Sequence, residues 1–305
     1  MRAGRRATTS RAKPGGRSKT CKRSPFPSGA ASAGIISEQF TARWPLVVAS
    51  GLVDIHSHIL SGIDDGARSL EESVAMLRLA ADSGTTDIVA TPHANSEFTF
   101  DPDLIGRKIT ELQAAAGPVP RIHRGCDFHL TLENIQDALA NPPKYSINHF
   151  CYLLVEFSDL LIPRTTQEIF DRLQGAGLTP IVTHPERNAL LHKKLDQLQS
   201  WVENGALVQV TAGSLLGGFG RAAKSVATEL MNRNLVHFIA SDAHDSRHRT
   251  PVLRDAYEFV CKTWNPGLAK LLFTTAPQAA ITGEEIALID PSPVPRKRKW
   301  YRLGL

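Results

Sequence analysis

His56 and His58 are the residues whose type and spacing most plainly suit chemistry in this chain. They are two imidazoles one residue apart, at the end of the short apolar run Val53-Asp54-Ile55. Alternate residues of a strand share a face, so both rings can reach one site. The segment continues into Ile63-Asp64-Asp65-Gly66, which supplies carboxylates. Imidazole and carboxylate together suit zinc, manganese or iron better than calcium. An isolated His-x-His pair is equally compatible with a solvated loop. The pattern gains weight because it recurs: His93, Asp127, Glu156, His184 and Asp242 each stand at or just past the end of a separate apolar segment. Divalent cations clustered on such groups lower the pKa of bound water, which is hydrolytic chemistry.

An alternation of strands and helices has to place these groups. The spacing predicts strands over 52–56, 87–91, 121–126, 151–155, 180–183, 206–211 and 236–240. Between them, Ser69-Leu70-Glu71-Glu72 reads as a capping box, and its helix stops at Gly84. Asp101-Pro102 supplies an N-cap and a first-turn proline for a helix closed by Gly117. A short helix follows over 131–139, then others over 166–176, through Leu195–Val202, up to Met231, and from Pro251 through Val260. A glycine-containing loop is expected over 213–220. Seven strand-plus-helix units imply a parallel sheet with right-handed crossovers. An open doubly wound sheet would spread the six strand-end groups along a line, whereas a barrel gathers them at one mouth. The expected fold is therefore α/β, a seven-stranded β/α barrel.

The 305 residues are 42% hydrophobic and 21% charged, enough for one large globular domain. The net charge of +5 is unevenly placed: residues 1–44 carry +9, residues 291–305 carry +5, and the body between them carries −9. The basic character belongs to the tails, so nucleic-acid binding by the body is not expected. Residues 1–45 are rich in Arg, Lys, Ser, Gly and Pro and read as a disordered or non-native basic extension. They lack the apolar core of a secretory signal, and their transit-peptide-like composition lacks amphipathic periodicity. The domain is expected over 46–290, with a basic tail over 291–305 whose Arg296-Lys297-Arg298-Lys299, beside Trp300 and Tyr301, could touch an anionic membrane. Cys21, Cys126, Cys151 and Cys261 show no metal-ligand spacing and read as free thiols in a reducing cytosol. The Cys-x5-Arg phosphate loop of thiol phosphatases and the Gly-x4-Gly-Lys-Ser/Thr loop are both absent, as is any apolar run long enough to span a bilayer.

Five stretches in order carry a family resemblance. They are Asp-Ile-His-Ser-His-Ile-Leu-x-Gly-Ile-Asp-Asp-Gly at 54–66, Ala-Thr-Pro-His at 90–93, Leu-Val-Glu-Phe-Ser at 154–158, Thr-His-Pro-Glu-Arg at 183–187 and Ala-Ser-Asp-Ala-His at 240–244. They resemble the PHP superfamily of metal phosphoesterases, and within it the CpsB/CapC/YwqE-type bacterial protein-tyrosine phosphatases, over about residues 52–283. The resemblance implies a distorted PHP-type barrel that binds a cluster of divalent metals, usually manganese, with iron or zinc as alternatives. It implies a cytoplasmic enzyme that removes phosphate from the tyrosine-rich tail of a bacterial tyrosine kinase governing capsular and exopolysaccharide synthesis. By position, His56, His58, Asp65, His93, Asp127, Glu156, His184, Asp242 and His244 become metal ligands, and Arg187 and Arg249 become the arginines beside the phosphate. Asp127 departs from the pattern: family members commonly carry a bridging Glu there, one methylene longer.

Asp64 reads as a turn residue. His123, His129, His149, His192, His237 and His248 match no motif and read as surface or ordinary core histidines. Asp245 or His244 could assist the leaving group. Two other functions stay open: a small-molecule phosphatase, for example on histidinol phosphate, and a non-catalytic metal-stabilised scaffold.

Overall fold

The structure, a computed structural model, describes residues 51–286 and residue 291. The basic extension expected over 1–45 and, apart from residue 291, the tail expected over 291–305 lie outside them. The fold is mixed α/β. Its strands are β1 (Leu52–Ser57), β2 (Thr85–Ala90), β3 (His93–Ala94), β4 (Arg121–Arg124), β5 (Asp127–His129), β6 (Tyr152–Glu156), β7 (Thr179–Thr183), β8 (Leu207–Thr211) and β9 (Phe238–Ala240). Every pairing is parallel, and helices fill most of the connections.

The strands form two sheets where one was expected: β1-β2-β4, and β3-β5-β6-β7-β8-β9. The division has a local cause. The second expected strand stops short of Pro92, which has no N–H for a ladder, and resumes as β3. The third breaks at Gly125, where a Cβ would lie 2.8 Å from a methyl of Val89. Hydrogen bonds still cross the break, from Gly125 N–H to Ala90 O (2.9 Å) and from Asp127 N–H to Pro92 O (3.1 Å). The first and last strands meet as well. Asp242 N–H donates to His56 O and His58 N–H to Ala243 O, each at 2.8 Å, and Ser57 bridges Ala243.

Sequence caps account for the helix starts. Ser69 accepts from Glu72 N–H to open Leu70–Asp82, and Asp101 accepts from Asp103 and Leu104 N–H to open Pro102–Ala116. Two details differ from expectation. The loop expected over 213–220 contains a short helix, Ala212–Leu216, which Gly217 ends in the left-handed conformation (φ +95°). The helix expected from Pro251 begins at Arg254. Phe170, Leu173 and Trp201 from helices pack with Leu153, Val182 and Val208 from strands in the larger apolar cluster. A second cluster joins Val53, Ile55, Val89 and Phe238 to Ala280 and Ile281 of the last helix. Cys126 and Cys261 are free thiols as expected. No helix among the described residues is long and apolar enough to cross a membrane.

One buried histidine gives the fold a pH dependence of its own. His237, just before β9, donates its N–H to Val208 O (2.9 Å) and accepts Val208 N–H on Nδ1 (3.1 Å). Burial pushes it down to about 4, so the folded state holds it neutral while an unfolded chain titrates near 6.5. Its contribution to stability is present above pH 6.5 and is lost as the pH falls toward and through 4. The thermal midpoint should therefore drop between pH 7 and 4.5. His237→Gln, which keeps an acceptor but does not titrate, should show a shallower drop in that window. Equal slopes for the two proteins would show that protonating His237 does not strain the fold.

Candidate metal centre

The residues predicted to act together do come together. Among the described residues, four overlapping groups bring their donor atoms within 4.8 Å of one another. They are His58, Asp65, His93 and His244; His93, Asp127, His129 and Glu156; His56, His184 and Asp242; and His56, His58 and Asp127. All nine ligands suggested by the sequence occur in these groups, contributed by strand ends and the loops that follow them. His129 is an addition, since it was read as an ordinary histidine.

The orientation of three imidazoles is fixed from behind. His56 Nδ1–H donates to Gln209 Oε1 (2.9 Å), His58 Nδ1–H to Asp64 Oδ2 (2.7 Å) and His244 Nδ1–H to the backbone oxygen of Asp242 (3.0 Å). In each case Nε2 is left to face the cluster: His56 Nε2 lies 3.4 Å from Asp127, and His58 Nε2 lies 3.5 Å from Asp242. This is the arrangement by which proteins set the tautomer and basicity of ligating histidines. Asp64 does shape a turn, accepting Gly66 N–H (3.0 Å), but its other oxygen serves His58. Gly66 is needed there for a second reason: a Cβ would sit 2.1 Å from His58 O.

The electrostatics and the backbone both record the crowding. Burial raises Asp127 and Asp242, yet the facing His56 and other cationic neighbours outweigh it and hold both well below the usual carboxylate range. Burial lowers His93, but the carboxylates of Asp127, Asp65 and Glu156 raise it to about 11. His184, in contrast, is pushed by burial down to about 3 and stays a neutral donor. His184 and Asp242 both occupy left-handed backbone, with φ of +29° and +50°. Non-glycine residues held there cost about 1–3 kcal/mol each and collect at functional sites.

The donors fit divalent cations on one further observation. Among the described residues, twelve buried side-chain polar atoms have no hydrogen-bond partner, and five of them belong to a single group: His93 Nδ1, both oxygens of Asp127, His129 Nε2 and Glu156 Oε2. Buried polar atoms are normally satisfied, and these four residues bring one donor atom each within 4.8 Å of one another. Nitrogen and oxygen donors in this mixture suit zinc, manganese or iron, without singling one out.

Two arginines border the cluster. Arg187 Nη1 and Arg249 Nη2 both bond Asp242 Oδ2, the latter at 2.6 Å. The Arg187 guanidinium lies over the Phe219 ring, 4.4 Å from its centre, and Arg249 lies 5.8 Å from the same ring. Both arginine side chains remain about a quarter exposed. A cavity of about 100 Å³ opens beside Arg187, lined by Glu156, His184 and Asn188 among others. Asp245, considered as an acid, instead accepts the backbone N–H groups of Arg247, His248 and Arg249 and shapes the loop that carries Arg249. Phe219, Gln209 and His129 carry no motif of their own, and only their tertiary position identifies them.

The chain is also similar to known proteins over most of its length. Residues 52–282 match the family described as capsular polysaccharide synthesis, CpsB/CapC. CapC of Staphylococcus aureus is 34% identical over 257 residues, covering 83% of this chain and all of that protein. The tyrosine-protein phosphatase YwqE of Bacillus subtilis is 33% identical over 251 residues, covering 81% of this chain and 98% of its own. A crystal structure from work on YwqE of Bacillus subtilis and CpsB of Streptococcus pneumoniae, described as unique metal-dependent tyrosine phosphatases, superposes with a TM-score of 0.75. That match has 32% identity over 80% of this chain and all of the other.

A ligand that binds only the native state stabilises it, by about 2.7 kcal/mol at a hundred times its Kd. Stripping divalent cations with a chelator should thus lower the thermal midpoint, and returning manganese should restore it. His184→Ala should bind markedly less metal. A midpoint unmoved by verified metal removal would show that the donor cluster does not hold cations.

Proposed function

The chain belongs to the CpsB/CapC family, and from that premise we propose that it is a metal-dependent protein-tyrosine phosphatase. Its substrate in this reading is a phosphotyrosine in the tail of a bacterial tyrosine kinase that governs capsular or exopolysaccharide synthesis. The observation that carries the reading is the convergence of Arg187 and Arg249 on one oxygen of Asp242, at the edge of the donor cluster. Two guanidinium forks offer planar donor pairs matched to phosphate oxygens, which a lysine would not reproduce.

In this reading His56, His58, Asp65, His93, Asp127, Glu156, His184, Asp242 and His244 hold the cations, with manganese the first to test and iron or zinc the alternatives. Divalent cations bound there would lower the pKa of water and offset the charge of the phosphoryl group. The chain's own residues do the rest. Gln209 and Asp64 keep two imidazoles in the ligating tautomer. Phe219 supports the plane of Arg187. Arg187 and Arg249 bind and orient the phosphate and neutralise charge as it builds on the oxygens. A tyrosyl leaving group has a pKa near 10, so it needs less protonation than an alkyl alcohol would. That agrees with Asp245 being committed to its loop.

The same reading extends to the architecture. Hydrogen bonds cross the breaks between β2 and β3 and between β4 and β5, so each pair reads as one kinked strand. That makes seven strands in a distorted barrel, closed between β1 and β9, within a domain over 46–290. A cytoplasmic location follows from the kinase substrate, and the basic residues at 296–299 would bring the enzyme to an anionic membrane.

The test compares a phosphotyrosine peptide with histidinol phosphate, using metal-stripped protein to which manganese is returned. Turnover of the peptide is expected. Preference for histidinol phosphate would make the chain a small-molecule phosphatase, and no turnover of either would favour a scaffold. Arg249→Ala should cut turnover about a hundredfold or more while the bound metal count stays the same. Normal turnover in that variant would remove Arg249 from the phosphate site. Cys126 is fully buried and stands in no Cys-x5-Arg loop, so Cys126→Ser should leave catalysis largely intact. A phosphothiol trapped in a single turnover would overturn direct hydrolysis.

A further inference from the structure

We propose that His129 is a metal ligand, the donor that completes a cation site with His93, Asp127 and Glu156. The proposal rests on the metal-dependent reading above but not on the identity of the substrate. Strand register generates the site. His93 pairs with Asp127 between β3 and β5, and His129 pairs with Glu156 between β5 and β6. Asp127 and His129 are two residues apart in β5, so they share a face. Four donors therefore stand at the corners of a patch spanning three adjacent strands. Asn134 holds the patch together from outside, donating to Ala94 O (2.8 Å) and to His129 O (3.1 Å).

The spacing around His93 suits a shared cation. Bonds of about 2.1 Å in tetrahedral or octahedral geometry set donors about 3.0–4.2 Å apart. His93 Nδ1 lies 3.4 Å from Asp127 Oδ2 and 3.5 Å from Glu156 Oε2. His129 Nε2 and Glu156 Oε2 form an ion pair closer than that range, which a cation between them would open, and neither atom has a hydrogen-bond partner of acceptable geometry. Asp127 is wholly buried, and neither of its oxygens has one.

Counting lone pairs shows why His129 is needed. His93 faces two groups at once, with Nε2 toward Asp65 (3.3 Å) and Nδ1 toward Asp127 and Glu156. A neutral imidazole has a single lone pair for a cation. When that lone pair serves the group containing Asp65, the second group loses its first imidazole. Asp127 is divided too, since it also belongs with His56 and His58. Its carboxylate has to serve both groups on a short side chain. His129 belongs to this one group alone, so it contributes a donor free of competing demands.

The test is metal binding by the full chain, read without any substrate. Stripped protein is titrated with manganese, free ion is followed by electron paramagnetic resonance, and bound metal is counted after dialysis. His129→Ala should lose about one equivalent, or bind one class of ion at least tenfold more weakly, with the remaining classes retained. His129→Asp, which restores an oxygen donor, should recover most of that loss. The melting of each variant in chelator should match the wild type, which separates lost ligation from lost folding. If His129→Ala binds manganese with unchanged stoichiometry and affinity, the proposal is overturned. It is equally overturned if metal loss is matched by an equal loss of stability in chelator that His129→Asp does not repair. A wild type that shows the expected metal loss on His129→Ala but no phosphotyrosine turnover would overturn the proposed function and leave the ligand assignment standing.

Discussion

The seam between β1 and β9 is the constraint on which the rest depends. Asp242 N–H bonds His56 O, His58 N–H bonds Ala243 O, and the buried carboxylate of Asp54 accepts Ser241 N–H at 3.0 Å. These bonds bring the first strand-end donors against the last ones, which are almost two hundred residues away in sequence. Without them His56 and His58 would have no fixed relation to Asp242 and His244, and no shared cavity would exist. Burial raises Asp54 to about 6, so the seam is built on a carboxylate that the interior disfavours. Three accepting interactions offset that cost, from Ser241 and from the backbone of His56.

From that seam the site is built in layers. The ligand candidates turn their free nitrogens inward because Gln209, Asp64 and a backbone carbonyl take the outer ones. Asp242 then links the cluster to its rim, since Arg187 and Arg249 both rest on its second oxygen. Phe219 supports Arg187, and Asp245 folds the loop that presents Arg249. Each layer has a partner that a single substitution would remove, which is why the metal count, turnover and melting experiments can be separated.

The strand–helix rhythm was legible because apolar runs end abruptly in His, Asp or Glu, and because Ser69 and Asp101 announce their helices by local chemistry. Six candidate ligands were legible for the same reason, as the ends of expected strands; His58 followed from its spacing to His56, and Asp65 and His244 from the family resemblance. What escaped depended on distance in space rather than along the chain. His129 looks ordinary until β5 and β6 set it beside Glu156. Asp64 looks like a turn residue because it is one, and its bond to His58 is invisible without the turn's shape. The division of the expected single sheet follows from Pro92 and Gly125, whose effects are local but whose outcome depends on what lies across the strand.

The left-handed backbone at His184 and Asp242 also bears on how such a chain drifts over generations. Glycine adopts that conformation without the penalty a side chain incurs. As long as selection acts on the site, the strain persists because these two side chains are needed. Once it relaxes, replacing either residue with glycine relieves backbone strain. A lineage that abandons the chemistry is thus pushed to erase His184 and Asp242 early, while Ser69 or Asp101, whose loss would only cost stability, stay behind. Descendants that keep the helix caps but lack these two residues would be recognisable as former enzymes.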